Sequence, residues 1–372
     1  MKIIKHRGYD QFKCSAGSCP DTCCYGWRID IDDESLEKYM NLTGDFGTRV
    51  LNAVDWSDGS FRQFDHHCAL LDDHRLCEIF NVLGEDAMCE TCRTYPRHVE
   101  EYENVREYSL SLSCPQAVLM LLNDQAPLTF EMTEDDTSED DFEAFDAPLF
   151  KQLVKARAFL YNMLQNREIS IEKRLNLALV LGKNIQNCID SGEEFIEKIE
   201  CFNLKYPDIN SSTDMNDDLF EKMSKQFLIF DEMELQRGEW SDLCNAVWHL
   251  LFEKGPDNYH QICRDFKEYC DNICSGENHL DIVKEHLAVY FIYTYFCGAV
   301  YDDDVYAKMF IAVFSVQWIS QFMMARWLLN DCCLDINDIA EIIWRYMREL
   351  EHSDENLNLL EAFSHDQTAG YF

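Results

Sequence analysis

The sequence predicts a mainly α protein, with a cysteine-rich, irregular N-terminal region packed on a C-terminal helical bundle. Three observations predict it. Turn formers are scarce, with 14 Gly and 7 Pro in 372 residues, which favours helices over an all-β design. From Pro148 onward, apolar residues recur at helical spacing. Cysteine is abundant, 18 in all, and nine of these lie at or before Cys114. At 47% hydrophobic residues the chain can bury a sizeable core.

Three regions follow from the text. Residues 1–125 carry the clustered cysteines among short elements. Residues 126–147 read as an acidic linker or loop, because Glu131–Asp146 holds nine acids and no base. Residues 148–372 read as the bundle. Its helices are expected over 149–166, 171–189, 218–236, 240–253, 259–274, 280–301, 305–329 and 336–350. A last helix follows over 356–363, with Ser353 as its cap. Asp303 is expected to cap the helix that begins at Val305, and Gly255-Pro256 and Gly276 mark loops. The aromatic run Tyr290, Phe291, Tyr293, Tyr295 and Phe296 reads as bundle packing.

Charge narrows the classes of partner. A formal net charge of -37 argues against nucleic acid and against an anionic membrane surface, since both need clustered Lys and Arg. It suits a cationic partner such as a lysine-bearing protein, and it equally keeps a large chain soluble. The longest uncharged run, Met309–Ala325, is bounded by Lys308 and Arg326. It falls short of the roughly 20 apolar residues of a membrane span and reads as a buried core helix. Met1-Lys2-Ile3-Ile4-Lys5-His6-Arg7 has no apolar stretch of the secretory kind. A reducing cytoplasm is therefore expected, where clustered thiols bind metal or do redox chemistry rather than form structural disulfides.

The thiols fall into groups. Cys14, Cys19, Cys23 and Cys24 come first, then Cys68 and Cys77, then Cys89 and Cys92, and Cys114 closes the set. Thiolates are soft ligands that select zinc or iron–sulfur clusters. Gly17, Pro20 and Gly26 make short loops from which several sulfurs can converge. Adjacent residues tend to point apart, so Cys23 and Cys24 are expected to serve two sites, or one of them to stand behind a ligand. Eight thiols make two four-thiolate sites or one cluster with spare ligands. Taken singly, each is also explained as a buried thiol acting as a small hydrophobe. Only Cys89–Cys92 is a C-x-x-C, so zinc-ribbon spacing is absent, and spacing does not choose between zinc and iron–sulfur. No Cys-x3-Cys-x2-Cys run supports radical chemistry. Cys188, Cys201, Cys244, Cys263, Cys270, Cys274, Cys297, Cys332 and Cys333 read mostly as core cysteines.

In order along the chain stand FKCSAGSCPDTCCYGWRIDID, CALLDDHRLCEIFNVLGEDAMCETCRTYPR and EYSLSLSCP, with ELEHSDENLNLL near the far end. This succession resembles the flagellin lysine-N-methylase family, over residues 12–120 and 349–360; the middle matches in helical character. The resemblance implies a cytoplasmic S-adenosylmethionine-dependent protein-lysine N-methyltransferase acting on flagellin. It also implies an iron–sulfur cluster, of 4Fe-4S type with zinc as the alternative. Carried over position by position, the metal ligands are Cys14, Cys19, Cys23, Cys24, Cys68, Cys77, Cys92 and Cys114. Cys89 falls on no family cysteine and is left out. Two other classes remain open: a non-catalytic metal module binding a cationic protein, and a redox or electron-transfer protein.

Methylation of lysine needs a neutral amine, whereas the free side chain titrates near 10.4. A base and an aromatic, acidic pocket are therefore sought. The catalytic candidates are His352 and Asp354, in a stretch that equally suits a solvated helix cap. The candidates for holding the cofactor are Trp27, Arg97 and Asn356. Arg97 is also explained as a surface arginine after a turn, and Trp27, Asp30 and Asp32 also suit a short strand with exposed acids. His66, His67 and His74 stand close to Cys68 and Cys77 and read as ligands or exposed loop residues. No G-x-G loop occurs between a strand and a helix, so a Rossmann-like cofactor domain is unsupported. Any S-adenosylmethionine site belongs on a helical scaffold between the two regions.

Overall fold

The computed structural model describes residues 1–140, 142, 145–199, 215–273 and 279–366. Cys201, Cys274 and Gly276 lie outside these residues. The chain is mainly helical, as the composition predicts. It divides by its cores: a large one, built from the bundle and part of the N-terminal region, and a small one confined to the cysteine-rich loops.

The N-terminal region is more ordered than expected. Strand β1 (Lys2–His6) lies inside a four-stranded sheet with β6 (Arg97–Tyr102), β7 (Val105–Leu110) and β8 (Phe130–Glu134), in the order β6-β7-β1-β8. β1 runs parallel to β7 and antiparallel to β8. The acidic stretch is therefore no linker at its start: Glu131 to Glu134 pair with Lys5 to Lys2. Those side chains sit mostly in solvent, so a strand edge tolerates acids that a core would not. Between the sheet strands come the helices α1 (Asp33–Met40), α2 (Gly44–Ala53), α3 (Glu78–Leu83), α4 (Glu90–Thr94) and α5 (Pro115–Asn123), and the short pairs β2 (Val54–Asp55) with β3 (Ser60–Phe61) and β4 (Gln63–Phe64) with β5 (His67–Cys68).

The bundle holds α6 (Ala147–Leu164), α7 (Ile171–Asp190), α8 (Met215–Phe227), α9 (Ile229–Glu232), α10 (Gly238–Val247), α11 (Pro256–Ile273), α12 (His279–Tyr295), α13 (Val305–Leu329), α14 (Ile336–Glu351) and α15 (Asp354–Ser364). Local chemistry sets their starts. Asp146 caps α6, Ser170 caps α7, Asp335 makes a capping box on α14 and Ser353 caps α15. The cap of α13 is Asp304, whose carboxylate accepts from Ala307 N at 3.0 Å. Asp303, the expected cap, instead takes φ 60 before the helix. The helix expected over 218–236 breaks at Leu228 into α8 and α9. α12 tightens after Tyr295 into a 3-10 turn.

α13 is long and apolar enough to cross a membrane, yet 78% of its apolar window is buried inside the fold. It is the central rod of the bundle, packed against α7, α12, α14 and α15. Gly182 permits the closest of these approaches: a Cβ there would meet Met309 Cγ at 2.9 Å. Buried charges are paired, Glu107 with Arg157 and Glu285 with Arg167 and Arg174.

Candidate functional site

The cysteine-rich loops are folded by turns and caps rather than by long elements. Asp32 accepts from Ser35 N at the start of α1 and from Glu90 N at the start of α4, at 2.9 and 2.8 Å. Asp72 accepts from His74 N and Leu76 N and so shapes the loop before Cys77. Cys68 N donates to Cys24 O at 2.8 Å, joining β5 to the first cysteine loop. Cys77, Cys89 and Cys114 each stand at the N-cap of a helix, α3, α4 and α5 respectively.

Six thiols line one small cavity of about 30 Å³: Cys23, Cys24, Cys68, Cys77, Cys89 and Cys92. Trp27, Tyr39 and Tyr95 line it too, with Ile29, Phe61, Leu70, Ile79 and Met88. Cys89, which falls on no family cysteine, lines the cavity with the others and is fully buried. Its neighbours in space are what the spacing could not show. Cys14, Cys19 and Cys114 stand to one side of the cavity. Cys114 feels both Cys19 and Cys23, and Cys19 feels Cys14. Cys14 is exposed.

Burial and neighbouring thiols shift several of these groups. Burial pushes Cys68 and Cys114 up to about 12, against backbone N–H groups of Leu70, and of Ala117 and Gln116, that favour the thiolate. Cys89 goes the other way, because the Cys92 thiol donates to it. The donor set is all sulfur and fits a thiolate-bound metal. The fit is one of chemistry, not of a ready-made cage. Among the described residues, no group of three or more His, Cys, Asp or Glu is arranged as it stands to hold an ion. A volume of about 30 Å³ is about that of one water.

Above the cavity the bundle supplies a polar ledge. His352, at the end of α14, stacks on Trp27 with ring centroids 4.8 Å apart and meets Tyr95 edge-on at 6.2 Å. Trp27 is itself fixed by Nε1 donating to Cys23 O at 2.7 Å. His352 Nε2 lies 3.1 Å from Ser113 Oγ, which is 3.0 Å from Tyr95 OH. Burial first, then Arg348 and Arg237, push His352 down to about 3, so it is neutral at ordinary pH. Glu351 accepts from Ser111 Oγ at 2.6 Å, Ser113 N at 3.2 Å, Tyr290 OH at 2.6 Å and Tyr295 OH at 3.1 Å. Burial raises it above the usual carboxylate range despite these donors.

The structure therefore brings His352 and Trp27 together beside the cysteines, and it does not bring the other candidates there. Asp354 is exposed in the first turn of α15. Asn356 is buried with its carboxamide fully engaged: Oδ1 accepts from Glu234 N, and Nδ2 donates to Glu234 O and Glu349 O. It fastens the end of α14 to the loop after α9 and has no donor left for a ligand. Arg97 is exposed, with its guanidinium over the Phe12 ring at 5.2 Å. His66, His67 and His74 are exposed. His67 stacks near Tyr25, with ring centroids 4.4 Å apart. The residues that sequence reasoning missed are Ser111, Ser113 and Tyr95; Glu351 stands in the candidate stretch around His352, without a role of its own. Ser111 and Ser113 flank Leu112 in a serine-rich stretch before Cys114, which was the available signal.

Residues 157–371 match the family described as the FliB lysine N-methylase C-terminal domain. The chain belongs to that family. The matched span is the bundle, including α14 and the His352 ledge, whereas the sequence resemblance rested mainly on residues 12–120. The lysine-N-methylases of Salmonella choleraesuis (strain SC-B67) and Salmonella typhimurium (strain LT2) are 30% identical to this chain over 175 and 176 residues. Those alignments cover 44% of this chain and 42% and 43% of the relatives. A flagellar biosynthetic protein FliU of Salmonella muenchen is 33% identical over 123 residues, 30% of this chain and 72% of that protein. The chain thus matches less than half the length of these lysine-N-methylases. No solved structure matches.

Proposed function

We propose that this protein is an S-adenosylmethionine-dependent lysine N-methyltransferase of flagellin whose cysteine-rich lobe holds an iron–sulfur cluster. The observation that carries the reading is the family match over residues 157–371. That span supplies His352 and Glu351 of the ledge facing the thiols. The printed names of the relatives, lysine-N-methylase and flagellar biosynthetic protein, point to the reaction and to flagellin. The net charge of -37 suits a lysine-bearing substrate.

S-adenosylmethionine supplies an electrophilic methyl on a sulfonium; the lysine nitrogen forms the new N–C bond as the C–S bond breaks, and a proton leaves the nitrogen. The protein's share is to favour the neutral amine and to hold it in line. Trp27 and Tyr95 offer aromatic faces suited to cationic groups. His352, kept neutral by burial, adds no competing positive charge there. Glu351, joined to His352 through Ser113, is the buried carboxylate on the same ledge. Cys23, Cys24, Cys68, Cys77, Cys89 and Cys92 would hold the cluster, with Cys14, Cys19 and Cys114 beside them. Its place between lobe and ledge suits a cluster that organises the loops.

The test is transfer of labelled methyl from S-adenosylmethionine to flagellin by anaerobically purified protein, with iron, sulfide and zinc measured on the same sample. Labelled flagellin lysines, lost in Trp27→Ala, support the reading. No transfer from protein carrying intact iron and sulfide overturns the enzymatic part. Zinc without sulfide overturns the cluster.

A further inference from the structure

The clasp between the cysteine-rich lobe and the bundle is built on charge. Asp21, between Cys19 and Cys23, accepts from Arg237 Nη1 at 2.9 and 2.8 Å and also from Arg348 Nη1. One carboxylate thus faces two guanidinium groups. Both terminal nitrogens of Arg237 are engaged: Nη1 on Asp21, and Nη2 on Thr22 O at 3.2 Å and Tyr25 O at 2.8 Å, with its plane over the Tyr25 ring at 4.1 Å. Glu239 also acts on Arg237, as does Glu349.

Arg348 is different. It is 1% exposed. Its Nε donates to Ser113 O at 2.9 Å and its Nη1 to Asp21. Its Nη2 is buried and has no hydrogen-bond partner among the described residues. Besides Asp21 and Arg237, its charge acts on Cys23, Tyr95 and His352. A buried, charged N–H without an acceptor is costly in a folded protein, and so is a cation whose one carboxylate is shared. Both point to an anionic acceptor at the sulfurs.

We propose that Arg348 is the counter-ion of the thiolate centre, with its free Nη2 donating to sulfur at Cys23 when the lobe is loaded. The inference rests on the cluster reading above and deepens it. A cluster bound by thiolates carries net negative charge that grows on reduction, so a buried guanidinium and an N–H to sulfur favour the reduced form. Arginine suits the place because its fork reaches three directions at once: the Ser113 carbonyl, Asp21 and the sulfurs. Arg348 is a positioning and tuning residue, since its own bonds go to protein atoms.

The test is the cluster's reduction potential in anaerobically reconstituted full-length protein, wild type against Arg348→Met and Arg348→Lys. Arg348→Met leaves Asp21 paired with Arg237 and is expected to disfavour the reduced cluster roughly tenfold, a fall of about 59 mV for one electron. Arg348→Lys keeps the charge and is expected to lower it less. An unchanged potential in both, at equal iron and sulfide, overturns the proposal. Should the variants fail to fold, wild-type protein labelled with 15N-arginine decides: pulsed EPR of the reduced cluster must show coupling to an arginine nitrogen, and its absence overturns the proposal. Wild-type protein retaining no iron and sulfide defeats the cluster reading itself, a separate result.

Discussion

The two cores of this molecule are made differently. The bundle buries a continuous set of large apolar and aromatic side chains, with Trp240, Trp318, Phe314 and Phe322 almost wholly enclosed. The small core has eleven buried residues, and two of them are Cys68 and Cys89. Around it, Phe64, Phe80 and Val82 remain exposed. Apolar burial at about 25 cal/mol per Å² can carry the first region and has far less to work with in the second. The lesson is that the cysteine lobe relies on tethers such as the Asp21 clasp and the Asp32 double cap.

The sharpest way to break this comparison is to remove a tether from each side. Cys68→Ala with Cys77→Ala is expected to abolish metal retention and leave the lobe open to limited proteolysis. The bundle should survive as a protected fragment, read by metal analysis and gel. Trp318→Ala, in contrast, opens a cavity in the large core and is expected to cost about 4 kcal/mol, measured by urea unfolding of the whole chain. Asp21→Asn leaves two buried guanidinium groups without their carboxylate and is expected to cost about 3 kcal/mol. Its effect should appear mainly as lobe release, followed by hydrogen exchange at residues 19–27.

Acidity sharpens the same contrast. Burial raises and the two arginines more strongly lower Asp21, so its folded-state value lies below the unfolded one. It therefore contributes stability above about pH 4, which is lost as pH falls through the folded-state value. Glu349 has the opposite sign. Burial pushes it up to about 7, so its ionisation destabilises the fold progressively as pH rises from about 4.5 to 7. Glu349→Gln, able to keep the bond from Gln236 N, is expected to flatten that slope in melting-temperature measurements across pH 5–8. The smallest effect expected is from Ser353→Ala, about 1 kcal/mol through loss of the bond to Asn356 N, read as a small drop in melting temperature.

Much of the bundle was legible because its periodicity and caps are local. Asp146, Ser170 and Ser353 declare helix starts in the text itself, and the apolar run in α13 declares its burial. The sheet was not legible. β1, β7 and β8 pair across more than a hundred residues, and the β8 text, rich in acids, reads as solvent-loving either way. The thiol groups were legible as a set, yet their partition was not. Cys89 joins the cavity through the Asp32–Glu90 bond, a contact between residues far apart in sequence. The ledge escaped for a similar reason: Ser113, Tyr95 and Glu351 meet only after sheet, loops and α14 have come together. Asn356 illustrates the converse error, a polar residue in a suggestive motif whose side chain serves the backbone.

The position of β1 within its sheet has a consequence for biosynthesis. Flanked on both edges by strands translated much later, the segment must leave the ribosome with its amides and carbonyls unmatched. It stays so until β7 and then β8 have followed. Such a delay slows closure of non-local pairings and exposes an adhesive ribbon meanwhile.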